Sequence, residues 1–475
     1  MTDRPNILFL LPDQLRPDFV GCFGANFIAT PRIDALAADG TRYETCISPS
    51  PICVPARASM LTGLAAHATG VTDNIRWLRP DRREIGIHTW PELLSEAGYT
   101  TASIGKMHFY PWDLGEGFAH RIIAEDKLHI HIEDDYHDAL AAAGYRRLHG
   151  RDMPGYTAQK GATENDLPDD LQVDRWVADK AAACFSRLPK DQPFAMMVGF
   201  PSPHCPYDPS PAALAAIDPA KMPLATGPND EARALHSAMV ASYKRGWADV
   251  DYSELEATEI QRIRHHYAAL VQTLDRDVGV VLDALAADGR LDNTIVVFAS
   301  DHGDYLGDFG LIGKTYFHEP SLKVPLIVRD FRQAARGTVE QAPASLLDLF
   351  PSFLSWAGVP VPEVADGSVL GQAPSDRILV GQTTHGIMAR DPEWKLVRYR
   401  NGVESLYHIA ADPCEEMNWI DARPKIRARL DLAITDALLS GFSTLTADLR
   451  VPAAQASEGN SFYRRGWQRP YPARI

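Results

Sequence analysis

The sequence predicts an α/β protein: a large, mostly parallel sheet sandwiched by helices, followed by a smaller unit built on an antiparallel sheet. Three observations carry this. Short unbroken apolar runs alternate with amphipathic helical segments, the rhythm of strand–helix–strand units. Each apolar run ends in ionisable residues. Beyond Asp366 the texture changes to four short segments spaced like a meander. The expected division is therefore 1–370 for the large unit and 371–475 for the smaller one.

The first run, NILFLL from Asn6, reads as a strand buried on both faces, and PDQLRPD delivers Asp13 and Gln14 at its carboxyl end. TPRIDALAADG is a helix: Thr30 caps it, Pro31 suits its first turn, Ile33, Leu36 and Ala37 share a face, and Gly40 closes it. In PICVPARASMLTG a helix starting near Pro55 has Cys53 at its head and Arg57 beside it. Thr89 and Glu92 in TWPELLSEAGY have capping-box spacing, and Gly98 ends that helix before the strand TTASIGKMHF brings up Lys106 and His108. PFAMMVGF leads to His204, and NTIVVFAS leads to Asp301 and His302. Between them, residues 259–289 keep apolar side chains three or four apart, as in a long packed helix. His265 and His266 are expected to be packed or solvated there. Open parallel sheets bind ligands outside the carboxyl ends of their strands, where Asp13, Lys106, His108, His204, Asp301 and His302 all fall. The segments RILVGQ, GIMARD, WKLVRY and ESLYHI make the small sheet, and a helix from Arg423 to Ser440 covers it. The tail GNSFYRRGWQRPYPARI joins aromatics to arginines, which interfaces favour, so it is expected either to reach another subunit of a homo-oligomer or to fold back on its own chain.

Composition excludes several classes. A net charge of -15 with no dense basic run argues against a nucleic-acid partner. No window reaches the roughly 20 apolar residues of a membrane span, and the start lacks the features of a signal peptide, so a cytoplasmic protein is expected. Six cysteines without a C-x-x-C pair indicate neither a disulfide framework nor a zinc site.

A helix N-terminus beside an arginine is an anion site, and Cys53 puts a nucleophile in it. A plain thiolate suits carbonyl carbon better than a sulfuryl or phosphoryl centre. Here CVPAR followed by ASMLTG resembles the signature of the formylglycine-dependent sulfatases of the alkaline-phosphatase-like superfamily. In that family a separate maturation enzyme oxidises the cysteine to formylglycine. NILFLLPDQLRPD, GKMHF, PHCPY, ASDHGDYLGD, GKTYFHEPSLKVPLIV and LYHIAADPCEEMNW resemble the family's other motifs in the family's order, as far as Trp419.

The resemblance implies a sulfate ester as substrate. It implies Asp13, Gln14, Asp301, His302 and the Cys53 position as ligands of one divalent metal, and Cys53, Arg57, Lys106, His108, His204 and Lys314 as the catalytic set. A hydroxyl of the hydrated aldehyde attacks sulfur, and loss of a proton from the second expels sulfate and restores the aldehyde. His108 is the base of that elimination. His204 and Lys314 face the departing oxygen, with His204 as the acid. Asp13-Gln14 and Asp301-His302 depart from the family's more common Asp-Asp and Asp-Asn. Oxygen ligands make calcium the first choice, and the imidazole makes manganese the alternative. The same pairs resemble phosphonate monoester and phosphodiester hydrolases of the superfamily, but the Lys-His pair of GKMHF favours a sulfatase. A protein that keeps the anion pocket with Cys53 unconverted would only bind. In EDKLHIHIEDDYHD, His129 and His131 are expected to help shape the pocket rather than hold a second metal. Tyr110 and Trp112 either wall a leaving-group pocket or pack into the core.

Overall fold

The computed structural model describes residues 4–128, 132–148, 150–245 and 250–445. Its strands are β1 (Asn6–Asp13), β2 (Thr41–Tyr43), β3 (Cys46–Ile47), β4 (Thr100–Gly105), β5 (His120–Ile123), β6 (Phe194–Pro203), β7 (Thr294–Ala299), β8 (Leu326–Arg329), β9 (Thr338–Glu340), β10 (Ala344–Ser345), β11 (Leu379–Thr383), β12 (Gly386–Arg390), β13 (Lys395–Tyr399) and β14 (Glu404–Tyr407). Eight form the main sheet in the order β5-β4-β6-β1-β7-β8-β2-β9. The pairings from β5 to β7 are all parallel, and β8 runs antiparallel to both β7 and β2.

The unbroken apolar run of β1 places it mid-sheet, buried along its whole length between β6 and β7. Its side chains alternate between two cores. Leu8 and Leu10 pack with Ile33 and Leu36 of the helix Pro31–Ala38, and with Val271, Leu274 and Val278 of the helix Ala257–Ala287. Ile7, Phe9 and Leu11 pack with Met60 of the helix Cys53–Thr62, Trp90 of the helix Trp90–Glu96 and Phe353 of the helix Leu349–Trp356. Each fully buried side chain of this size is worth about 1.5–3 kcal/mol, so a one-residue slip that exchanged the faces is strongly disfavoured. β7 repeats the pattern, with Val296 and Phe298 toward one core and Ile295, Val297 and Ala299 toward the other. Continuing both alternations by one step sends Asp13 and Asp301 to the face covered by the Cys53 helix.

That helix begins at Cys53, two residues before the expected start, with Ile52 in extended conformation ahead of it. Pro55 then lies within the first turn, where its missing N–H costs nothing. The Thr89–Glu92 capping box is present. The four C-terminal segments are β11 to β14, paired antiparallel in chain order. The helix Pro424–Leu445 lays Leu430 and Ile434 against Ala389, Leu396 and Leu406 of this sheet. His129, His131 and the aromatic tail lie outside the described residues. Among the described residues no helix is long and apolar enough to cross a membrane.

Candidate active site at the carboxyl ends of the sheet

Cys53 has no exposed surface, and His302 Nε2 and Lys314 Nζ each lie 3.1 Å from its sulfur. One turn on, Arg57 holds the two strand-end carboxylates together: NH2 donates to Asp13 Oδ2 and Nε to Asp301 Oδ2, both at 3.0 Å. Its NH1 donates to the Lys106 carbonyl at 2.9 Å. Lys106 Nζ bridges Asp13 Oδ2 at 2.6 Å and Asp126 Oδ2 at 2.5 Å. Gly199 of β6 makes room for this turn, because a side chain there would collide with the Lys106 carbonyl. Lys314 Nζ also donates to Gln14 Oε1 at 2.6 Å and stands 2.6 Å from His204 Nε2. His204 Nδ1 donates to the Cys205 carbonyl, which leaves Nε2 facing the Lys314 amine. Asp13, Gln14, Arg57, Lys106, His204, Asp301, His302 and Lys314 are thus gathered around Cys53.

Two of these residues have unusual backbones. Gln14 (φ 68) and His108 (φ 58) are in the left-handed region, which costs a non-glycine residue on the order of 1 kcal/mol and marks over-determined sites. Gln14 is held there by its N–H to Asp301 Oδ1 at 3.0 Å and by Tyr267 OH, which donates to its carbonyl at 2.7 Å. The N–H of His108 is held by both oxygens of Glu125 at 3.1 Å. Its side chain hydrogen-bonds Cys53, and its Nε2 lies 3.3 Å from Tyr110 OH. Tyr110 is half-buried among Val54, Trp77 and Leu78. It therefore packs and touches the site at once, whereas His265 and His266 of the long helix only anchor neighbouring carbonyls.

Electrostatics follow from this packing. Burial alone would raise the Cys53 thiol, but Lys314, His302 and Lys106, with the His108 hydrogen bond, hold it well below the usual thiol range. Burial and the Cys53 sulfur push Asp13 up, and Lys106, His204 and Arg57 bring it below the usual carboxylate range. Burial and Lys314 push His204 down, yet negative charge led by Asp126 lifts it to about 10. The group is a nucleophile seated among cations that carboxylates hold from behind.

The donor set suits a cation. Ligand atoms of Asp13, Cys53, Asp301 and His302 lie within 4.8 Å of one another. Asp13 Oδ1 is buried without a hydrogen-bond partner, which is costly unless a cation binds against it. His302 Nδ1 donates to the Gly303 carbonyl at 2.9 Å, which turns the Nε2 lone pair toward the group. Two carboxylates, an imidazole and position 53 fit one divalent metal.

Sequence reasoning missed the supporting carboxylates and an amide. Asp126 pairs Lys106, Glu125 sets His108, and Asp304 takes Gln14 Nε2 together with Tyr207 OH. Asn74 Oδ1 accepts the Val54 N–H at 2.9 Å at the head of the Cys53 helix. None carries a motif; the only signal was that Glu125, Asp126 and Asp304 stand within charged segments already singled out. A cavity of about 800 Å³, lined in part by Glu125, Lys127, Ser202 and Asp208, adjoins the site through Glu125 rather than containing Cys53.

A mostly parallel sheet with a nucleophile, three cations and paired carboxylates at its strand ends defines a hydrolase of the alkaline-phosphatase-like superfamily. Residues 5–359 match the family model described as Sulfatase, and the chain belongs to that family of sulfuric ester hydrolases. It is 30% identical to the choline-sulfatase of Rhizobium meliloti over 88% of this chain and 82% of that one. It is 26% identical to the N-acetylglucosamine-6-O-sulfatase of Bacteroides thetaiotaomicron, with the same two coverages. Its fold matches the phosphonate monoester hydrolase of Agrobacterium radiobacter with a TM-score of 0.77 at 22% identity, over 93% of this chain and 96% of that one.

Proposed function

We propose that the chain hydrolyses sulfate monoesters, arylsulfatase-like in substrate, at Cys53 once a maturation enzyme has converted it to formylglycine. One observation supports this above the others: Cys53, the first residue of a buried helix, has Lys314 and His302 3.1 Å from its sulfur and Arg57 one turn away. In the structure the sulfur stands where the nucleophilic oxygen would be.

Formylglycine at this position would supply that oxygen and a route to release sulfate without attack by water on an ordinary ester. Asp13, Gln14, Asp301, His302 and position 53 would hold a divalent cation, calcium first and manganese as the alternative, whose charge offsets that of the ester oxygens. The remaining chemistry falls to the chain's own side chains. Lys106 and Arg57, held by Asp13 from behind, neutralise the sulfuryl group. His108, hydrogen-bonded to position 53, takes the proton whose loss frees sulfate. His204 gives its proton to the leaving oxygen, and Lys314 beside it stabilises the charge that develops there.

The lifted value of His204 sets a pH dependence. Its proton stays on through neutrality, so kcat/KM for esters of poor leaving groups is expected to fall only as pH rises through about 10. By linkage, a histidine raised from 6.5 stabilises the fold fully below its unfolded value and loses that contribution as pH rises through about 10. Asp126→Asn removes the largest upward cause, so the alkaline limb of the pH–rate profile is expected to move toward 6.5.

A second reading, hydrolysis of phosphonate monoesters or phosphodiesters, is favoured by one observation: His302 Nε2 lies 3.7 Å from Asp301 Oδ2 within the donor group, where the more common sulfatase pattern has asparagine. Turnover of an aryl sulfate against the matching aryl phosphonate separates the two. The sulfatase reading expects the sulfate to be preferred by at least about tenfold in kcat/KM, and the reverse preference would replace it.

A further inference from the structure

Lys314 is set in place from three sides. Before it, the Gly313 N–H goes to Asp304 Oδ1 at 2.8 Å, and after it the Thr315 N–H goes to the Pro51 carbonyl at 2.8 Å. The third side belongs to the small C-terminal sheet. Phe317, three residues past Lys314, has both backbone groups taken by β13: its N–H donates to Tyr399 OH at 3.1 Å, and its carbonyl accepts from Lys395 Nζ at 2.7 Å. Lys395 also pairs with Glu319 Oε1 at 2.9 Å and Glu415 Oε1 at 2.6 Å, while Glu415 Oε2 accepts the Glu319 N–H at 2.8 Å. Tyr399 OH in turn donates to Glu231 Oε1 at 2.9 Å.

Lys395 and Glu415 have no exposed surface. An apolar contact would join two units at least as firmly as buried charges, whose desolvation offsets most of their attraction. What directional bonds add is a single geometry for the backbone they hold. The bonds here fall on residues 317–319, beside the lysine that faces the leaving oxygen. Thr315 is itself at φ 100, a conformation that needs restraint on both sides.

From this we propose that Lys395, Tyr399 and Glu415 are positioning residues for Lys314 and, through it, for its contact with His204, so that the C-terminal unit forms part of the leaving-group apparatus. The inference rests on the proposed reading of His204 and Lys314 as that apparatus. Misplacing them slows departure of poor leaving groups most and spares good ones.

The test uses the full converted enzyme and a series of aryl sulfates from 4-nitrophenyl to 4-methoxyphenyl, with kcat/KM and Tm measured for Tyr399→Phe, Lys395→Met and Leu406→Ala. Leu406 is buried in the same small sheet among Ala389, Trp394, Leu396, Leu430 and Ile434, so its variant reports lost stability. Tyr399→Phe and Lys395→Met are expected to lose about tenfold more activity on the 4-methoxyphenyl ester than on the 4-nitrophenyl ester. Leu406→Ala, at a similar fall in Tm, is expected to leave that ratio unchanged. Equal losses on all esters, or the same skew in Leu406→Ala, would overturn the positioning role; Tyr399→Phe decides the matter if Lys395→Met does not fold. Absence of aryl sulfate turnover in the parent enzyme would instead overturn the reading on which the inference stands.

Discussion

Replacing Cys53 by alanine is expected to lower kcat/KM for an aryl sulfate by on the order of 10⁴-fold or more, because the whole route runs through the group at this position. Serine is the more informative change. It keeps an oxygen in the seat of the sulfur, which Lys314 and His302 approach to 3.1 Å, and so is expected to retain the first displacement. It lacks the second hydroxyl, so its sulfated form has to wait for water. The expected result is a burst of one equivalent of phenol followed by near-arrest, with intact mass rising by one sulfuryl group. Steady turnover by Cys53→Ser would show that the release step does not need formylglycine. Cys53 and the entire helix Cys53–Thr62 are buried, so on the proposed reading a maturation enzyme would have to reach this side chain before the fold closes. Protein folded first as plain cysteine is expected to stay unconverted.

Much of this site was legible because two simple periodicities deliver it. Unbroken apolar runs mark β1, β4, β6 and β7, and residues just past such runs collect at one edge of a parallel sheet, which places Asp13, Lys106, His108, His204, Asp301 and His302 there from the sequence alone. Arg57 followed from its place one turn beyond Cys53. The helix begins two residues before the expected start near Pro55, since proline is tolerated within a first turn. Strands β2 and β9, three residues each, and the two-residue pair β3 and β10 are too short to show any period and exist only through their partners. Glu125, Asp126, Asp304 and Asn74 were unreadable for a different reason: each acts on a backbone N–H or a cation brought to it from elsewhere in the chain, and nothing local distinguishes such a residue from a surface one.

Asp301→Asn is expected to lower kcat/KM by about 10³-fold and to abolish the rise in Tm that a divalent cation gives the parent protein. This carboxylate serves two ends. Oδ1 accepts the N–H groups of Gln14 and His302, both at 3.0 Å, and Oδ2 takes Arg57 Nε at 3.0 Å, which lets it set the turn after β1 while it joins the donor group. Asparagine can keep the backbone bonds through its carbonyl oxygen but removes one of the two negative charges facing the metal, since Asp13 supplies the other. In the parent protein, cation at a hundred times its Kd is expected to add about 2.7 kcal/mol of stability, all lost on chelation. On the proposed reading, His302 is the residue that bears on which cation binds. An imidazole nitrogen suits manganese better than calcium, so His302→Asn, which replaces nitrogen by oxygen, is expected to shift the larger Tm response toward calcium. If chelation changes neither Tm nor turnover of the converted parent enzyme, the unpartnered Asp13 Oδ1 and the inward-turned His302 Nε2 are not waiting for a metal, and the charge on the ester has to be offset by Arg57, Lys106 and Lys314 alone.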